Sequence, residues 1–192
     1  MGCKNGDRYI EDGLVASVKE TPVRNAAVFL LFANLEGSPI LLFIRRSQHV
    51  ALHKGDIAFP GGVREASDLS YLETAYRETE EEIGVHVDQI EFWGELNRVE
   101  TSTGFTVTPF TGQLLDVSSL TPQHREVAEI IMAPMNALID PHALRSMCVL
   151  KGSEIVSAPA YAYNGNVIWG ATARILSQVI YTSCSKTSAK LS

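Results

Sequence analysis

Cysteine is scarce in this 192-residue chain, which has Cys3, Cys148 and Cys184 at no metal-binding spacing. An odd number of widely separated cysteines favours free thiols in a reducing compartment and excludes a disulfide-stabilised scaffold. Long apolar runs are also missing, since no stretch approaches the roughly 18 uninterrupted apolar residues of a membrane span. The N-terminus lacks the apolar core of a signal peptide. We therefore expect a cytoplasmic protein with no membrane partner.

An excess of basic charge is missing as well. Sixteen Lys and Arg residues stand against 22 Asp and Glu residues, so the formal net charge is −6. Surfaces that bind nucleic acid are basic, and we therefore expect no nucleic-acid partner. Hydrophobic residues make up 45% of the chain and charged residues 20%, which is typical of globular proteins and excludes a disordered chain. The length fits a single domain, acting as a monomer or a homodimer.

Short apolar runs separated by Gly, Pro and Asn predict a strand-rich chain. Strands are predicted at 25–33, 40–45, 90–96, 105–115 and 126–132, and on either side of Asn164-Gly165, a typical hairpin turn. Residues 71–83 contain no Pro or Gly and stop at Gly84, which predicts a helix. A short helix is predicted at 135–147 and a final one at 171–181.

Glu78, Glu81 and Glu82 stand at positions i, i+3 and i+4 of the predicted helix, so their carboxylates share one face. The simpler interpretation is a solvated acidic face. Solvated faces usually mix in basic residues, however, and Arg77 is the sole basic neighbour of this cluster. Mg²⁺ and Mn²⁺ prefer such oxygen-only ligands, and a bound cation would relieve the repulsion among the carboxylates.

The acidic excess of the chain is concentrated around this helix. Between Arg64 and Glu82 there are seven acidic and two basic residues, which gives that segment a charge of −5. Bound divalent cations would reverse the local field. The negative net charge is therefore compatible with an anionic substrate.

The segment from Gly62 to Val85 resembles the Nudix box, G-x5-E-x7-R-E-U-x-E-E-x-G-U, where U is a bulky apolar residue. The matching positions are Gly62, Arg77-Glu78, Glu81-Glu82, Gly84 and Val85. Asp68 stands where the box has Glu, one additional residue precedes Arg77, and Thr79 replaces U. The Asp and the insertion are similar to the coenzyme A pyrophosphatase branch of the family.

A second motif of that branch, L-L-T-x-R-[SA]-x3-R-x3-G-x3-F-P-G-G, lies just upstream. The chain matches it at Arg46-Ser47, Gly55 and 59–62 and departs from it at Ala51, where the motif has Arg. The resemblance covers about residues 25–180. It implies an α+β fold, an α/β/α sandwich whose mixed sheet is flanked by helices. The polar, mixed composition of residues 1–24 predicts a leader, and the Ser-, Thr- and Lys-rich composition of residues 182–192 predicts a flexible tail, which leaves the Nudix hydrolase domain at 25–181.

The resemblance implies a hydrolase that uses Mg²⁺ or Mn²⁺ to cleave a pyrophosphate in a small-molecule nucleotide. Glu78 and Glu82 are the expected metal ligands, and Glu81 is a further ligand or the group that orients the attacking water. The carbonyl of Gly62 reaches the metal, unless Gly62 is an ordinary turn residue. Arg77 is expected to orient the glutamates through an ion pair.

Five more residues have two interpretations each. Glu126 is the general base or an additional metal ligand, or else a surface residue at the end of a strand. Arg45, Arg46 and Ser47 contact the phosphates of the nucleotide, or they simply finish a strand. Phe105 stacks on the substrate or belongs to the core.

The expected substrate is coenzyme A or an acyl-coenzyme A, cleaved to 4′-phosphopantetheine or its acyl form and adenosine 3′,5′-bisphosphate. Another nucleotide, such as an oxidised nucleoside triphosphate or ADP-ribose, is the alternative within the family. A nucleotide-binding regulator with the same fold and no turnover is the alternative of another class. The three retained glutamates argue against it, because an inert module has no physical need for repelling carboxylates.

Overall fold

The computed structural model describes residues 24–49, 54–151 and 154–188. Residues 1–23 of the predicted leader lie outside these ranges, as does Ala51. The strands are β1 (Arg24–Leu35), β2 (Ser38–Arg46), β3 (Ile57–Ala58), β4 (Gly61–Val63), β5 (Ile90–Glu95), β6 (Val99–Glu100), β7 (Phe105–Leu114), β8 (Val127–Pro134), β9 (Leu144–Lys151), β10 (Glu154–Tyr163) and β11 (Asn166–Ile168). The helices are α1 (Tyr71–Ile83), α2 (Met135–Ile139) and α3 (Gly170–Ser188), with a 3-10 turn at Val87–Gln89.

The main sheet has eight strands, with a central order β3-β2-β1-β7-β5. β1 and β7 run parallel, while their other pairings and those of β2 are antiparallel, so the sheet is mixed. β4 pairs with the first half of β1, β6 with β7, and β8 with β2. A second, antiparallel sheet has the order β11-β10-β9.

Each face of the main sheet buries its own core. Ala27, Phe29 and Leu31 of β1 belong to the core under α1, because alternate residues of a strand point to one face. Leu30 and its neighbours on the opposite face pack against α3 and the second sheet. Helices thus cover both faces of a mixed sheet, which confirms the predicted α+β sandwich.

The five predicted strands and the helix at 71–83 are confirmed, with shifts of a few residues at some strand ends. The predicted hairpin joins β10 to β11 through Asn164 and Gly165, whose φ angles of 46° and 75° suit a type I′ turn.

The short helix predicted at 135–147 is wrong beyond Ile139. Asp140 precedes Pro141, and a residue before proline is driven out of the helical region, so the helix ends there. Residues from Leu144 onwards form β9 instead, which pairs along its length with β10. The last helix is longer than predicted and reaches Ser188, since neither Gly nor Pro follows Gly170. Within the described chain, no helix is long and apolar enough to cross a bilayer.

Candidate active site

Helix α1 holds the three predicted glutamates in different environments. The helix begins after Ser70, whose hydroxyl accepts the Glu73 N–H at 3.1 Å, and ends at Gly84, whose φ is 72°. The Glu82 side chain is only 2% exposed and that of Glu78 16%, whereas that of Glu81 is 59% exposed. Two of the three carboxylates are therefore withdrawn from water, which excludes a simple solvated face.

Strand β4 provides the wall against which these two carboxylates lie. The Gly61 N–H donates to Glu82 Oε2 at 2.8 Å. A Cβ atom on Gly62 would come within 2.3–2.5 Å of the Glu78 carboxyl group, so only glycine permits this approach. The Gly-Gly pair thus has a structural requirement beyond forming a turn.

Arg77 connects the glutamates to the loop that precedes the helix. Its Nη1 lies 3.1 Å from Glu78 Oε1 and 3.3 Å from Glu81 Oε2. Its Nε and Nη2 donate to the two carboxylate oxygens of Asp68 at 3.0 and 3.1 Å, and Nη2 also donates to the Val63 carbonyl. This geometry supports the orienting role predicted for Arg77.

Asp68 was noted in the sequence only as a departure from the Nudix box, and its role was missed. The residue is buried and also accepts hydrogen bonds from the Glu65 N–H and the Thr74 hydroxyl. The Arg77 guanidinium holds the pKa of this carboxyl well below its usual range. Asp68 is therefore a permanent anion that fixes Arg77, and the extra residue before Arg77 still allows a two-point contact.

Burial is the main influence on the pKa values of the two withdrawn glutamates, Glu78 and Glu82. Desolvation raises the pKa of Glu82 to about 8, although the Gly61 N–H and the Arg46 guanidinium, 3.6 Å away, act against it. Desolvation also raises the pKa of Glu78 above its usual range. The carboxylate of Glu126 raises both pKa values further. The backbone of Glu126 accepts a hydrogen bond from the N–H of Ser47, which directly follows Arg46, so Glu126 lies near the same site.

A divalent cation is the group that this carboxylate pair fits. Among the described residues, no set of three or more His, Cys, Asp or Glu side chains is already arranged to hold a metal ion. Mg²⁺, however, is commonly bound by one or two protein carboxylates, with waters and substrate phosphates completing the shell. Glu78 and Glu82 offer such a pair beside the backbone of Gly61 and Gly62.

Arg46 and Ser47 lie at the same edge of the site but make different contacts. Arg46 points to Glu82, as described above. The Ser47 hydroxyl is buried and donates to the Arg125 carbonyl at 2.6 Å, while the Ser47 N–H donates to the Glu126 carbonyl at 2.8 Å. Ser47 thus anchors the segment that carries Glu126, and its predicted phosphate contact stays a prediction.

Arg45 and Phe105 are not part of this cluster of side chains. The Arg45 side chain lies on the opposite face of β2 from that of Arg46. Its Nε donates to Glu129 Oε2 at 3.0 Å and its Nη2 to Asn166 Oδ1 at 2.6 Å. Phe105 packs against the α3 core and lies under the Arg24 guanidinium, 3.9 Å from the ring centroid. Their predicted contacts with substrate remain untested.

Sequence comparisons identify relatives of this chain. The NUDIX domain model matches residues 22–147. The chain is 35% identical over 156 residues to the uncharacterised Nudix hydrolase NudL of Photorhabdus laumondii. This alignment covers 81% of this chain and 83% of NudL. It is 32% identical over 172 residues to the human mitochondrial coenzyme A diphosphatase NUDT8, which covers 88% of this chain and 72% of NUDT8.

Solved structures show the same fold at lower sequence identity. A MutT/nudix family protein from Enterococcus faecalis superposes with a TM-score of 0.54 at 14% identity, over 90% of this chain and 62% of that protein. The Nudix hydrolase RenU from M. smegmatis gives a TM-score of 0.51 at 24% identity, over 62% of this chain and 74% of RenU. The family model and the sequence relatives show that the chain belongs to the Nudix hydrolases, in their coenzyme A pyrophosphatase-like branch.

Proposed function

We propose that this hydrolase cleaves the diphosphate of coenzyme A or an acyl-coenzyme A in a reaction that requires Mg²⁺ or Mn²⁺. The observation that carries the chemistry is the pair of withdrawn carboxylates, Glu78 and Glu82, lying against the Gly61-Gly62 backbone. The choice of substrate is supported by the upstream motif and by the coenzyme A diphosphatase among the relatives.

Each residue of the cluster has a distinct task in this proposal. Glu78 and Glu82 hold the divalent ion, with the Gly62 carbonyl as a further ligand. When bound, the ion lowers the pKa of a water molecule and neutralises charge on the two phosphates. Arg77 keeps Glu78 and Glu81 in position, while Asp68 keeps Arg77 in position.

Two exposed carboxylates at the site are available to move a proton. Glu81 is more than half exposed and held by Arg77, and Glu126 is exposed and close enough to raise the pKa of Glu82. A carboxylate near a reacting water can accept its proton as a general base. We assign Glu81 to orienting the water, and Glu126 to accepting its proton or completing the metal ligands.

The substitution Glu82→Gln tests the metal assignment. The amide oxygen of glutamine can still accept the Gly61 N–H, so we expect the fold to persist while Mg²⁺- or Mn²⁺-dependent turnover is abolished. Glu80→Gln is the matched control, because Glu80 is on the same helix but exposed. Turnover at the wild-type rate in Glu82→Gln would overturn the assignment.

A substrate panel tests the choice of substrate. We expect kcat/KM to be highest for coenzyme A and acyl-coenzyme A, compared with ADP-ribose, NADH and oxidised dGTP. A higher value for one of the other nucleotides would replace the proposed substrate. No turnover of any of them by a folded protein would favour a binding module without catalysis.

The proposed location is the cytoplasm. Cys148 is exposed and free, and an exposed thiol persists in a reducing compartment. The proposed assembly is a monomer or a homodimer, which size-exclusion chromatography with light scattering distinguishes.

A further inference from the structure

A shallow basic cleft opens beside the glutamate cluster. Its volume is about 480 Å³, and its lining residues are Arg24, Asn25, Val63, Arg64, Glu65 and Ala66. Two arginines against one glutamate give this cleft a positive balance in a chain whose net charge is −6. A local reversal of charge of this kind attracts anions.

The two arginines of the cleft are held in place without being neutralised. Arg24 lies over the ring of Phe105 and donates to the Thr103 carbonyl at 3.3 Å. Arg64 lies 5.1 Å from the ring centroid of Tyr71 and donates to the Asp68 carbonyl at 2.9 Å. Within the described ranges, neither forms an ion pair with a carboxylate. Their charge and most of their N–H donors therefore remain available.

Short links join the cleft to the active site. The Val63 carbonyl at the cleft accepts a hydrogen bond from Arg77 at 3.2 Å. Asp68 holds Arg64 through its carbonyl and Arg77 through its carboxylate. Arg64 is two residues beyond Gly62, a separation of about 7 Å along an extended chain. One nucleotide can therefore reach both places.

We propose that Arg24 and Arg64 bind a second phosphate group of the substrate, one that is not cleaved. Guanidinium groups present pairs of N–H donors that match phosphate oxygens, and here the aromatic rings cover their faces and leave the donor edges open. This inference rests on the proposed function, in which the 3′-phosphate on the ribose of coenzyme A is such a group. The cleft then makes the enzyme selective for substrates that carry this phosphate.

The test compares coenzyme A with dephospho-coenzyme A, which lacks the 3′-phosphate. We expect Arg64→Gln to raise KM for coenzyme A about tenfold, equivalent to about 1.4 kcal/mol, with no change for dephospho-coenzyme A. Arg98→Gln is the matched control, because Arg98 lies 5.0 Å from the same Tyr71 ring but does not line the cleft. Equal changes for both substrates, or none for either, would overturn the inference.

Calorimetry separates this inference from the proposed function. We expect the wild type to bind adenosine 3′,5′-bisphosphate about tenfold more tightly than AMP, and Arg64→Gln to lose that difference. If neither coenzyme A nor dephospho-coenzyme A is hydrolysed, the proposed function fails, while the two binding constants still decide the inference. Binding of inorganic phosphate without any preference for the bisphosphate over AMP would mean a site for a free anion and would overturn it.

Discussion

Arg77 does more in this molecule than its single place in the Nudix box suggests. Its guanidinium contacts Asp68, Glu78, Glu81 and the Val63 carbonyl at 3.0–3.3 Å. A planar fork with five donors can serve several acceptors at once, whereas the point charge of lysine cannot. The positions of two site carboxylates therefore depend on one side chain, and that side chain depends on Asp68.

Asp68→Asn tests this dependence. Asparagine keeps an acceptor for Arg77 but loses the charge, so we expect the free energy of unfolding near neutral pH to fall by about 1–3 kcal/mol. Turnover should fall as well, because Arg77 is less constrained. Urea denaturation and steady-state kinetics measure the two effects.

The stabilisation by Asp68 should depend on pH in a defined direction. Arg77 keeps the pKa of the folded-state carboxyl below its ordinary value of 3.8, so above that pH the stabilisation is fully present. It is lost as the pH falls below 3.8 and protons bind to the unfolded chain first. The stability difference between wild type and Asp68→Asn should therefore shrink on acidification, and a constant difference would contradict the ion pair.

Helix α1 could be predicted from the sequence because its signals are local. Ser70 caps its first turn and Gly84 adopts the left-handed conformation that ends it. The spacing of Glu78 and Glu82 follows from the helical repeat. Which of them loses contact with water could not be predicted, since that depends on β4, a strand of three residues brought against α1 by its pairing with β1.

The two neighbouring arginines of β2 also show that contacts between elements could not be predicted from the sequence. Arg45 and Arg46 were both predicted to contact the substrate. Adjacent residues of a strand point to opposite faces, so Arg45 meets Asn166 of the second sheet and Arg46 meets Glu82 of α1. β9 was missed for a related reason, because its partner β10 was only half recognised.

Thr79 offers a test of packing within α1. Its side chain is fully buried, and its hydroxyl has no hydrogen-bond partner among the described residues. Valine has the same shape without the unsatisfied hydroxyl, so we expect Thr79→Val to raise the free energy of unfolding by about 1 kcal/mol and leave turnover unchanged.

The matched control for this prediction is Thr74→Val in the same helix. Thr74 is also fully buried, but its hydroxyl donates to Asp68 at 2.9 Å. This substitution should destabilise the protein, as thermal unfolding would show. Shifts of the same sign in the two variants would contradict the assignment of the Thr79 hydroxyl as unsatisfied.

The charges of the protein are arranged so that opposite signs meet at the active site. The segment from Arg64 to Glu82 contributes −5 of a net charge of −6, and its first three residues also line the basic cleft. A divalent ion placed between repelling carboxylates should stabilise the folded state. At a free concentration 100 times its Kd the gain is about 2.7 kcal/mol.

Thermal unfolding with Mg²⁺ or Mn²⁺ measures this gain. We expect Tm to rise in the wild type and the rise to be largely lost in Glu82→Gln. Sodium chloride at equal ionic strength controls for general screening of the acidic segment. An equal rise in Glu82→Gln would contradict a metal site at this pair.

The segment that carries Glu126 is hydrogen-bonded to the C-terminal end of α1. The Thr121 and Gln123 N–H groups donate to the carbonyls of Ile83 and Glu82 at 2.9 Å, bonds that the last turn of a helix otherwise lacks. An outward movement of this segment would break the hydrogen bonds to those carbonyls and loosen the helical turn that carries Glu82. These hydrogen bonds therefore support the last turn of α1, and we expect this side of the site to keep its position during substrate exchange.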